Sequence, residues 1–81
     1  PAFPNPASAI TCLPVDMSRA SSGRIALRDA SGREVAILFD GVLPAGLSKH
    51  FVDASLLPAG PYVITLEIED RGWWSQRLMV R

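Results

Sequence analysis

His50 is the one histidine of the chain, and so the one side chain whose ordinary pKa suits proton transfer near neutrality. A hydrolytic relay would need it within hydrogen-bond reach of a nucleophile, with a third group orienting the ring. No Gly-x-Ser-x-Gly elbow occurs, and a single histidine in a strand is expected as a half-buried packing residue. The carboxylates are Asp16, Asp29, Glu34, Asp40, Asp53, Glu67, Glu69 and Asp70. A glycosidase would need two of them at a fixed separation, one held protonated. Asp29, Asp40, Asp53 and Asp70 instead each fall where a strand should become a turn, and an Asp there caps local backbone. No Asp-x-Asp-x-Asp-Gly calcium loop and no phosphate-cradling glycine loop is present. Cys12 is the only cysteine, so an internal disulfide and a multi-cysteine metal site are excluded. In its apolar surroundings it is expected as a small buried side chain, with an intermolecular disulfide or a reactive thiol as the alternative. The expectation is therefore no catalytic residue, no metal and no cofactor.

Trp73-Trp74 is the one conspicuous aromatic pair. Neighbours in a strand point to opposite faces, so at most one ring can be outward. The pattern places Trp74 inside and Trp73 outside or at an edge. An outward Trp73 is the residue that a carbohydrate-binding module would use as a sugar contact; rim packing is the simpler reading.

Eight Lys and Arg balance eight Asp and Glu, which leaves no net field to attract nucleic acid or an anionic membrane. No apolar run approaches the roughly 20 residues of a helical membrane span. With 48% hydrophobic and 20% charged residues the composition is that of a globular domain. At 81 residues there is room for one domain and one modest core. The chain lacks an initiator Met and a signal leader, and is expected to be a piece of a longer protein that carries a cargo domain upstream.

The elements that would position these residues are strands. The firmest runs from Tyr62 to Glu69: Tyr62, Ile64, Leu66 and Ile68 point one way, and Val63, Thr65, Glu67 and Glu69 the other. The turn before it, with Pro58 and Gly60, combines a preset φ with a residue that tolerates positive φ. Its leucine, proline and tyrosine resemble the tyrosine corner of immunoglobulin-like sandwiches, in which a Tyr hydroxyl ties back to upstream backbone. Before it, residues 1–7 carry three prolines and read as an extended linker, with the sandwich domain over 8–81. A first strand covers about Ala9 to Leu13, and Pro14 ends it or sits at an edge. Residues 16–23 read as a surface loop. Arg24 to Asp29 and Arg33 to Phe39 alternate around the turn at 29–32 and form a hairpin. In it Ile25 and Leu27 face in and Ala26 faces out, while Val35, Ile37 and Phe39 share one face. Asp40-Gly41 reads as a turn. Leu47 to Asp53 is a strand with Val52 inward and His50 at the rim. A tight turn at 70–72 leads to a last strand, Trp73 to Val80, with Trp74, Leu78 and Val80 on one face and Gln76 the misfit. Leu-Pro-Ala-Gly occurs at 43–46 and 57–60 as turn chemistry before a strand. The fold class expected is all-β: an immunoglobulin-like antiparallel β-sandwich of about seven short strands.

Four segments, in order, resemble a known family. Phe3-Pro4-Asn5-Pro6-Ala7-Ser8 is similar to the Tyr-Pro-Asn-Pro-Ala opening of the type IX secretion system C-terminal sorting domains (type A) of Bacteroidota and relatives. Gly32-Arg33-Glu34-Val35 resembles that family's Gly-Arg-x-Val, and Leu57-Pro58-Ala59-Gly60-Pro61-Tyr62 its Leu-Pro-x-Gly-x-Tyr. Gln76 to Arg81 resembles its basic-apolar last strand. Phe3 stands for the usual Tyr, Pro61 for a β-branched residue and Gln76 for a common Lys. Flagellar hook-capping proteins share the Gly-x-Tyr strand in a related fold. The resemblance implies a non-catalytic address label: outer-membrane secretion and attachment proteins recognise it, and the cargo passes through the periplasm to the cell surface or beyond. It maps recognition to Gly60, Tyr62, Arg77, Leu78, Val80 and Arg81, with Pro4, Asn5, Pro6, Gly32, Gly46 and Pro58 as structural turn positions. A carbohydrate-binding module using Trp73, or a structural spacer of a multidomain secreted enzyme, is the alternative.

Overall fold

The computed structural model describes residues 10–69 and 71–81. The expected linker over 1–7, the turn residues Pro4, Asn5 and Pro6, and Asp70 lie outside the described residues. Six strands are described: β1 Ile10–Met17, β2 Ser21–Asp29, β3 Glu34–Leu43, β4 Gly46–Asp53, β5 Gly60–Ile68 and β6 Gly72–Val80, with a short 3-10 turn at Ala54–Leu56 before β5. All pairings are antiparallel. β1 pairs with β4 in one sheet, and the other has the order β3-β2-β5-β6. The fold is an all-β sandwich.

Alternation explains the core. Ile25 and Leu27 of β2 and Tyr62, Ile64 and Ile68 of β5 are buried, with Leu78 and Val80 of β6 and Leu43 at the end of β3. Val15, Met17 and Val52 close it from the two-stranded sheet. Each such side chain contributes about 1.5–3 kcal/mol when fully withdrawn from water. Gly23, opposite Gly41, has no Cβ because Leu43 occupies that space: an added carbon would lie 2.5 Å from Leu43 Cδ1.

The turns follow their residue types. Asp29 accepts from Ser31 N at 3.0 Å and Arg33 N at 3.1 Å, and Gly32 holds φ 87° beside it. Asp53 accepts from Ser55 N at 3.1 Å and caps the 3-10 turn. Gly46 opens β4 with φ 87°, the left-handed conformation a side chain would resist.

Several expectations are corrected. β1 continues through Pro14 to Met17; among the described residues β4 is its one strand neighbour, so it is an edge there, where a missing N–H can face away from the pairing. The loop expected over 16–23 is confined to residues 18–20, because Ser21–Gly23 already pair with β3. Cys12 is half-buried, opposite Phe51 on the outer side of β1, and not a core residue. Ala26 is buried although it faces outward: it lies between Ile37 and Thr65 on neighbouring strands, which shade its small side chain. Asp40-Gly41 is not a turn but part of β3, which runs on to Leu43. Val35, Ile37 and Phe39 do not share a face. β3 slips against β2 between the pairs Ile25–Phe39 and Ala26–Ile37, so Leu38 is an extra residue and the alternation inverts. Phe39 and Ala36 pack on the core, while Ile37 is 52% exposed.

Candidate recognition surface

The β5–β6 hairpin holds all but one of the residues to which recognition maps, and Arg81 follows it directly. Its register sets Gly60 opposite Val80, Tyr62 opposite Leu78 and Val63 opposite Arg77. The fold therefore gathers Gly60, Tyr62, Arg77, Leu78, Val80 and Arg81 at one end of the molecule. They divide by exposure. Tyr62, Leu78 and Val80 are buried, Leu78 to 1% of its full exposure. Arg77 and Arg81 are exposed. Only the two arginines present their side chains to solvent; the buried three pack in the core beneath the hairpin. The Tyr62 hydroxyl donates to the Pro58 carbonyl oxygen at 2.7 Å, the tie across the turn that the Leu-Pro-x-Gly-x-Tyr spacing implies.

β6 is an edge strand, with β5 as its one strand neighbour among the described residues. Its pairing with β5 runs from Gly72 to Val80 without a register shift. Arg77 makes no ion pair among the described residues, whereas Arg24, Arg28 and Arg33 each face a carboxylate. The nearest contrast is Arg24, which holds Glu34 through two contacts of 2.7 and 2.8 Å. That pairing lowers the Glu34 pKa below its ordinary range.

The two tryptophans part company as alternation requires, but Trp74 is not inside. Trp73 is 66% exposed on the outer face, opposite Glu67, and Trp74 is 50% exposed on the inner face, opposite Leu66. The reason lies in sheet width. Among the described residues two strands face four, and the inner face beside β6 opens as a groove of about 600 Å³ lined by Leu13, Val15, Met17, Leu66 and Trp74. On the outer face Trp73, Thr65, Ser75 and Arg77 line a half-open trough of about 830 Å³. Sequence patterning assigned both rings a face, but nothing in it signals how many strands lie across that face.

His50 sits where expected, at the rim below Val52. Its Nε2 lies 3.0 Å from Ser48 Oγ, and its ring meets Phe39 edge-on at 5.0 Å. Burial pushes its pKa below the ordinary 6.5, so the ring favours the neutral form. Among the described residues no group of three or more His, Cys, Asp or Glu side chains is placed to hold a metal ion. No helix there is long and apolar enough to cross a membrane.

The family model described as a secretion system C-terminal sorting domain matches residues 1–81. No curated protein and no solved structure matches the chain.

Proposed function

Since the chain belongs to the C-terminal sorting domains of the type IX secretion system, we propose that it acts without catalysis, as a label that secretion machinery reads by gripping the last strand. The match over residues 1–81 is the observation that carries this reading. The family implies export to the cell surface or the extracellular space. Within that role we assign the reading surface to the β6 edge with Arg77 and Arg81. Both arginines are exposed beside the outer side chains of β6, and a partner carrying carboxylates can dock on them through charge-assisted hydrogen bonds. Gly60, Tyr62, Leu78 and Val80 act indirectly, by fixing the strand against the core. The partners are outer-membrane secretion and attachment proteins, the route runs through the periplasm, and the passenger is a cargo domain of the same chain.

A fusion of this domain to a periplasm-targeted fluorescent protein, expressed in a host with a working type IX system, tests the assignment. The fusion is expected on the surface or in the medium. Arg77→Glu with Arg81→Glu, at unchanged thermal stability, is expected to cut export at least about tenfold, the scale of losing a few charge-assisted contacts. Intact wild-type fusion retained in the periplasm would sink the function. Normal export of the folded double variant would sink the arginine assignment alone.

A further inference from the structure

The outer face of β5 and β6 is a seat with two unlike ends. Trp73, Ser75 and Arg77 alternate onto that face along β6, and the register sets Glu67, Thr65 and Val63 of β5 directly opposite them. Together they line the half-open trough of about 830 Å³. Its floor is low: Thr65 is buried, with its hydroxyl donating to the Ala26 carbonyl oxygen at 3.5 Å, and Ser75 is small. At one end Trp73 stands 66% exposed and offers a flat ring. Arg77 lies four residues away, about 14 Å along a strand. It is exposed and makes no ion pair among the described residues. A large aromatic surface and an unanswered cation therefore share one face, with small residues between them.

We infer that this trough binds a proline-containing, acidic segment of a protein partner in the polyproline II conformation. The inference rests on the sorting reading above for the partner's being a protein, and names the chemistry of the segment that is read. A sheet face offers a ligand no backbone hydrogen bonds. Its occupant is therefore a segment whose own backbone stays solvated, and polyproline II is such a conformation. Prolines in that conformation dock on aromatic-lined grooves. The polyproline II chain repeats its side every third residue, so a proline on Trp73 carries the third residue beyond it about 9 Å toward Arg77. The flexible stems of arginine and glutamate span the rest, and Pro-x-x-Glu is the matching spacing. Glu67, opposite Trp73, sets the direction: it repels a carboxylate at the aromatic end, while Arg77 attracts one at the other. An acidic saccharide fits this trough less well. A sugar ring on Trp73 needs several polar groups around its rim. Thr65 is committed to the Ala26 carbonyl, which leaves Ser75 and Glu67 beside the ring.

Amide and indole NMR shifts of the 81-residue chain, titrated with acetyl-Pro-Pro-Pro-Glu-Pro-amide, read the binding. Side-chain contacts alone give a weak complex, with a dissociation constant on the order of 1 mM. Glutamine in place of the probe's glutamate is expected to weaken binding about fivefold, and Arg77→Gln in the chain should do the same. The two losses should not add: the Arg77→Gln chain should hold both probes alike. Trp73→Ala is expected to weaken binding at least about tenfold. Trp74→Ala, which removes an exposed ring from the opposite face, should leave it unchanged. Circular dichroism melts confirm that each variant folds. The inference is overturned by the lack of a saturating shift up to about 10 mM probe, by equal binding of the two probes to the unaltered chain, or by equal effects of Trp73→Ala and Trp74→Ala. Tighter binding of trigalacturonic acid than of the peptide would also overturn it, in favour of a saccharide. None of these measurements uses a secretion host, so failure of the trough assignment and failure of the sorting role are read separately.

Discussion

The two edges of the four-stranded sheet are built on different rules. β3 bends. It inserts extra residues against β2 at two places, carries Glu34 and Asp40 on its outer side, and leaves Ile37 half in water. β6 is regular over its whole length, has Leu78 and Val80 sunk in the core and keeps Arg77 unpaired among the described residues. The bent edge is buried at its far end, where Leu43 sits in the core, and over its bulged first half is stabilised locally, through Arg24–Glu34 and the Asp29 turn. The regular edge is stabilised from beneath, by burial. An edge held from beneath keeps charged outer side chains such as Arg77 exposed, which suits a strand that others must read. An edge tied up in its own ion pairs and bulges resists pairing.

Truncating one apolar residue on each edge gives the largest separation. Leu78→Ala removes a fully buried side chain beneath β6 and is expected to cost about 3 kcal/mol, a large share of the stability of a domain this small. Leu38→Ala removes a half-buried residue at the bulge of β3 and is expected to cost about 1 kcal/mol. Urea unfolding of the two variants at one pH measures both. Equal losses would mean that the bulged half of β3 is held by burial as much as β6 is, and the contrast would fail.

Tyr62→Phe probes the same end of the hairpin with a smaller change. It deletes the hydroxyl that donates to the Pro58 carbonyl and leaves the ring in the core. The expected cost is about 1 kcal/mol, the usual net value of one hydrogen bond, read as a shift of the unfolding midpoint. The sharper expectation is kinetic. The turn before β5 anchors the strand that pairs with β6, so amide exchange across Gly60–Tyr62 and Leu78–Val80 should accelerate more than in β3. Uniform acceleration would show that the tie serves the whole fold and not this end.

The contrast also separates what could be read from sequence. Tyr62, Ile64 and Ile68 were legible because unbroken period-two alternation assigns a face to every residue. The Tyr62–Pro58 tie was legible because its spacing is short and its turn chemistry specific. Val35, Ile37 and Phe39 were not, because a bulge is a backbone event with no residue signature here: Leu38 resembles any other strand leucine. Asp40-Gly41 carries a strong turn composition, yet both residues pair with β2, Asp40 opposite Arg24 and Gly41 opposite Gly23, and this pairing overrides the local preference. Trp74 was given the correct face and the wrong burial, since covering depends on a sheet of different width. That β6 is an edge followed from no local pattern; it depends on strand order, which is set by pairings distant in sequence.

Acid should act on the bent edge first, and by a small amount. The Asp29 pKa is lowered chiefly by its hydrogen bond from Ser31, and that of Glu34 by its hydrogen bond from Arg24. A carboxylate with a lowered folded pKa contributes stability that is present above its unfolded value, 3.8 for Asp and 4.5 for Glu, and is lost as pH falls toward the folded value. His50 of β4, packed against Phe39 of β3, acts earlier. Burial disfavours its charged form, so the unfolded chain binds that proton more readily and stability declines as pH drops below about 6.5. Two shallow losses are therefore expected between pH 7 and 3. Glu34→Gln should flatten the lower one and His50→Gln the upper, while Arg77→Gln should change neither, because no carboxylate among the described residues depends on that guanidinium. Amide exchange at pH 4 locates the effect: protection should fall in the β2–β3 hairpin before it falls in β6. If β6 opened first, or if Arg77→Gln altered the acid limb, the regular edge would depend on charge as much as the bent one does.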